Sequence, residues 1–156
     1  MKNTALNSKL FINGNGPAKI FPGYKIYQHI PCGIIVCQPW DFRLFYTERQ
    51  KQHLSTFPGK EHYNTLSKVD GLLNANVLDY FLKYPDRIPE MIKGFDSENN
   101  PIYTFFPNTV YQDELRGELY IRYFRMNVFK KPESQFMEIN GEFGFAPHYP
   151  ALQIAA

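Results

Sequence analysis

The chain is short of cysteine, tryptophan and continuous apolar runs, and it has no marked excess of either charge. Each shortage removes a class of protein. Only Cys32 and Cys37 occur among 156 residues, which excludes a disulfide scaffold. Read as one strand, "CGIIVC" sets their Cα atoms roughly 16 Å apart at ~3.3 Å per residue, beyond the ~7 Å reach of a disulfide. The two pair only if the chain turns at Gly33. The longest apolar runs, such as "GIIVC", fall far short of the ~20 residues of a membrane helix. In the opening "MKNTALNSKLFINGNG", Asn7, Ser8 and Lys9 interrupt what a secretory segment needs to be continuous. A soluble, cytoplasmic protein with no membrane partner is expected. With 17 basic and 15 acidic residues the net charge is +2, too balanced for a whole-surface field that gathers nucleic acid.

Catalytic and cofactor signatures are equally sparse. No G-x-S-x-G elbow is present, and "NGNGPAK" lacks the spacing and strand-to-helix context of a phosphate cradle, so it reads as a turn. His29, Cys32 and Cys37 suggest a metal, but His53 and His62 do not supply the second tight pair that zinc sites bring. No metal or cofactor is expected. Cys32 with a base among His29, His53, His62 and His148 would make a thiol nucleophile. Glu138 with Glu142, or Asp113 with Glu114, would make an acid and base, although turns and solvated strands explain these carboxylates more simply.

Rings are what the chain has in quantity: 17% aromatics, with 14 Phe and 11 Tyr, each a large apolar area once buried. Residues 1–23 mix Asn, Gly, Pro and Lys without pattern and read as an irregular arm. Residues 24–152 read as one α+β domain, and 153–156 as a tail. "YKIYQHI" alternates as a strand, "PCG" breaks it, and "IIVC" follows, as in a hairpin. "FRLFY" is a further strand, "TERQKQ" a turn or brief helix, and 61–68 a short helix with Tyr63 and Leu66 inward. Asn74 or Asn76 caps a helix over about 75–84, whose Val77, Leu78, Phe81 and Leu82 form one apolar stripe. Pro85 stops it, and Pro89 opens a second, one-turn helix.

Downstream, 101–112, 117–127 and 134–143 are β-branched and aromatic runs that suggest an antiparallel meander. Together with the N-terminal strands this gives an antiparallel sheet packed on the main helix and short helices. With "DELR" as the hairpin loop, Thr109 lies opposite Tyr120, Pro107 opposite Arg122, and Phe105 opposite Phe124. Both faces are then apolar, and something must cover the second. Pro107 lacks a ladder donor, which places it at a bulge or an edge.

The segments "LLNANVLDYFLKYPDRIPE", "KG" at 93–94, "TVYQ" at 109–112 and "GELYIRYFR" resemble the core of a family of small uncharacterised bacterial proteins. In that family an Asn-Ala-Asn helix ends in proline, an Ile-Pro-Glu element follows, and an aromatic hairpin closes with an arginine strand. The resemblance covers residues 24–152 and is best over 73–126. Met91, Ile92 and Pro107 stand where the family pattern tends to tryptophan. It implies a bacterial origin and a compact α+β domain, and carries no activity.

Three functions follow. The first is a non-enzymatic module that binds a protein partner or its own copy through an aromatic sheet face, with Tyr103, Phe105, Tyr120, Arg122, Phe124, Arg125 and Met126 as contact residues. The second is single-stranded nucleic-acid binding by 117–131. There "RGELYIRY" partly matches an RNA-recognition strand, and Tyr120 and Phe124 would stack bases while Arg122, Arg125, Lys130 and Lys131 hold phosphate. The third is a small hydrolase or transferase built on a histidine with Cys32 or a carboxylate.

Overall fold

A computed structural model describes residues 9–52, 58–95, 99–140 and 149–155. Residues 1–8 of the arm, His53, Glu142, His148 and the end of the third run at 141–143 lie outside them. The described residues form an α+β domain. In chain order it runs β1 (Leu10–Asn13), β2 (Tyr24–His29), β3 (Ile34–Cys37), β4 (Phe42–Phe45), α1 (Glu48–Lys51), α2 (Gly59–Leu66), α3 (Ala75–Lys83), β5 (Thr104–Asp113), β6 (Leu119–Met126), β7 (Pro132–Glu138) and β8 (Ala151–Ile154). The main sheet has the order β4-β8-β5-β6-β7, with β2 also paired to β5, and β1 and β3 form a separate two-stranded ribbon. Among the described residues no helix is long and apolar enough to cross a membrane.

Helix α3 forms where its sequence spacing places it. Asn74 caps it, its side-chain oxygen accepting from the Asn76 amide at 3.2 Å. Val77, Leu78 and Phe81 are fully buried against Phe106, Phe124 and Leu152. At roughly 1.5–3 kcal/mol per buried side chain, that stripe outweighs any propensity term. The helix ends at Tyr84, because Pro85 cannot continue it.

The β5–β6–β7 meander is present, but its register differs from the sequence expectation. The loop is Glu114–Gly117, with Gly117 at φ +74° and the Asp113 carboxylate accepting from the Leu115 and Arg116 amides. Gly117 therefore closes the turn instead of opening β6, and Tyr120 faces Tyr111, not Thr109. Farther along, β5 advances from Val110 to Phe105 while β6 advances only from Ile121 to Tyr123. This bulge holds Pro107, where a missing donor does no harm. Its odd number of extra residues exchanges the two faces of β5, so Phe105 faces Tyr123 and Thr104 faces Phe124.

Three other expectations are corrected. The arm contains β1, whose Leu10 and Ile12 are buried. The IIVC strand pairs with β1 and not with β2, because Gly33 at φ +82° redirects the chain. Cys32 and Cys37 are both free. The tail from 153 is the second half of β8, a strand between β4 and β5, with Gln153 buried and bonded to Arg43 and to the Asp70 carbonyl.

The second face of the sheet carries Phe105, Val110, Ile121 and Tyr123. Tyr63 of α2 and Tyr149 pack onto it, so cover comes from within the chain.

Candidate functional site

The seven contact residues expected from the sequence do not share a surface. Phe105 and Phe124 are fully buried, and the bulge has put them on opposite faces, in different core clusters. Arg122 is buried, and its Nη1 donates to Asp79 of α3 at 2.8 Å while its Nε donates to the Ser134 hydroxyl at 3.2 Å. Its guanidinium stands 4.6 Å from the centre of the Phe21 ring. Arg125 projects to the other face and pairs with Glu133 at 2.5 Å. That contact holds the Glu133 carboxyl below its ordinary range. Tyr103 meets Tyr123 and Tyr149 edge to face. Tyr120 donates to Glu118 at 2.9 Å, and burial, reinforced by that carboxylate, pushes its phenol up to about 12. Met126 packs at the margin of the α3 core. The two arginines assigned to phosphate are thus both engaged by carboxylates, and on opposite sides of the sheet.

The cysteine and histidine candidates are likewise occupied elsewhere. Burial raises the Cys32 thiol above its ordinary value, and burial together with the Asp41 charge pushes Cys37 up to about 11. Such thiols are poor nucleophiles. Both nitrogens of His29 are taken: Nε2 lies 3.0 Å from the Gly16 carbonyl, and Nδ1 lies 2.8 Å from the Thr109 hydroxyl. A carbonyl only accepts, so Nε2 carries the proton. In the neutral ring Nδ1 then accepts from Thr109, whose oxygen accepts from the Ala75 amide at 3.0 Å. Among the described residues no group of three His, Cys, Asp or Glu side chains is placed to hold a metal.

These contacts explain the Asn-Ala-Asn segment. Asn74, wholly buried, donates to the carbonyls of Gly14 and Ile30 at 2.8 and 3.0 Å, and Asn76 donates to the Gly16 carbonyl at 2.7 Å. Together with His29 they tie the turn after β1 to the start of α3 and to β5. The Gly14 amide in turn donates to the Gly33 carbonyl of the β2–β3 connection at 2.8 Å.

What this network positions is the β1–β3 ribbon. Burial alternates along it. Leu10, Ile12, Ile35 and Cys37 sink into the core, while Phe11, Ile34 and Val36 stand outward at 64%, 59% and 56% exposure. Phe11 faces Val36 in the register, and Ile34 faces Asn13, so the exposed side chains form one patch. On α3, which packs against the inner face of the ribbon, the Tyr80 ring lies 4.9 Å from Tyr84.

Beside the ribbon runs an open groove of about 630 Å³, walled by the turn from Asn13 to Lys19 on one side and by Asn76, Asp79 and Lys83 on the other, with Arg122 also lining it. Lys19 stands over Phe21 at 5.1 Å and Lys83 over Tyr84 at 5.3 Å. Sequence reading missed this surface because it treated residues 1–23 as an arm. The available signal was "IIVC", in which both alternating sets are apolar although a short surface strand needs only one.

No family model, curated protein or solved structure matches this chain.

Proposed function

We propose that this protein is a binding module that docks a partner polypeptide on the outer face of the β1–β3 ribbon. The observation that carries the reading is the patch of Phe11, Ile34 and Val36, each more than half exposed, on a ribbon whose inner face is wholly in the core. Covering three such side chains supplies several kcal/mol at roughly 1.5–3 kcal/mol for each one fully buried, and contiguous exposed apolar patches mark interaction sites. The ribbon is anchored by four core side chains and by the Asn74, Asn76 and His29 bonds, so little ordering cost attends binding. A second copy is a poorer occupant than a different chain. Lys9 is exposed just before β1, and Lys19 and Lys83 border the same face, so a two-fold contact would bring like charges together.

The test is selection from a random peptide library on the native protein, with counter-selection on the double variant Phe11→Ser/Val36→Ser. Both side chains are exposed, so the variant keeps its fold. Peptides that bind the native chain and lose at least about tenfold in affinity for the variant support the reading. Peptides indifferent to the variant, or no enrichment at all, contradict it.

A further inference from the structure

Resting on that ribbon reading, we infer that the partner segment is acidic as well as apolar, with carboxylates that lie along the groove between α3 and the turn after β1. The groove has three cations, Lys19, Lys83 and Arg122, and one anion, Asp79. Arg122 and Asp79 neutralise each other at 2.8 Å, and Arg122 is the buried member. Two positive charges remain. Among the described residues neither Lys19 nor Lys83 has a carboxylate partner, whereas Lys51 and Lys93 each pair with a nearby glutamate. Both free ammonium groups are held over aromatic rings, Phe21 and Tyr84, an arrangement that limits their wandering without consuming their charge.

The groove and the apolar patch are one surface. Asn13 faces Ile34 in the ribbon and also lines the groove. A bound segment that places apolar side chains on Phe11, Ile34 and Val36 therefore brings its neighbouring side chains over Lys19 and Lys83. Carboxylates there gain charge-assisted contacts, and basic side chains would be repelled. The negative charge of Asp79 does not oppose this, because Arg122 already holds it.

The same library selection separates this inference from the reading beneath it. Expected are ribbon-dependent peptides rich in Asp and Glu beside apolar residues. Their affinity should fall about tenfold in the double variant Lys19→Gln/Lys83→Gln and weaken with added salt. Both lysines are exposed, so these changes leave the core alone. Ribbon-dependent peptides with neutral or basic composition, unaffected by the lysine change, overturn the acidic assignment and leave the docking face standing. Loss of all ribbon-dependent binding overturns both. Binding of an oligothymidine single strand that needs the two lysines but not Phe11 or Val36 overturns the inference in favour of a nucleic acid.

Discussion

Asn74, itself wholly buried, does two things with one amide: its oxygen caps α3 and its nitrogen holds the carbonyls of Gly14 and Ile30. Replacement by alanine removes a cap worth ~1 kcal/mol and gives up two hydrogen bonds to carbonyls at about 0.5–1.5 kcal/mol each. Asn74→Ala is therefore expected to lose roughly 2–4 kcal/mol in urea unfolding, whereas Asn76→Ala, which frees one partly buried contact, should lose about 1 kcal/mol. Equal losses would contradict the assigned roles. His62, buried in α2, is pushed by burial from 6.5 down to about 4. Below about 6.5 the unfolded chain takes up a proton that the folded chain refuses until about 4. Stability should thus fall as pH drops through that window, by on the order of 3 kcal/mol, and His62→Leu should remove most of this slope. A slope unchanged by the substitution would mean that other groups set the acid sensitivity.

At the scale of elements, the ribbon depends on a close approach of two turns. A Cβ on Gly14 would meet the Cys32 sulfur at 2.3 Å and the Gly33 carbonyl at 2.8 Å. Gly14→Ala should cost about 1–3 kcal/mol, and Cys32→Ala added to it should recover only part, because the carbonyl contact persists. Full recovery would place the conflict entirely at the sulfur. Helix α3 and the strands β2, β4, β5, β6 and β7 were legible because cap, stop and periodicity are local properties of the chain. Register was not. It turned on which glycine side of the loop closes the hairpin and on a bulge at Pro107, and an odd insertion there moved Phe105 away from Phe124. The arginines failed as candidates for a similar reason: nothing local in "YIRYFR" announces Asp79 or Glu133 as partners.

For the whole molecule, the long-range pairings decide what is left exposed. β8 enters between β4 and β5, pairing with both, and "ALQI" has too little β-branched character for sequence alone to place it there. Tyr63 and Tyr149 cover the second sheet face, and of the rings expected to attract a partner Phe105 and Phe124 are consumed by the core while Tyr103 and Tyr120 are half-buried. The candidate surface moved instead to the ribbon, where a short N-terminal strand read as irregular gives the core a face to pack on and leaves another outward. The most direct measurement is methyl and amide NMR of the protein titrated with a library-selected peptide. The largest shifts are expected at Phe11, Ile34 and Val36 and, more weakly, at Lys83 and Tyr84. Shifts centred instead on the exposed hairpin tip at Val128 and Phe129, or on no contiguous set of residues, would contradict the ribbon as the docking face.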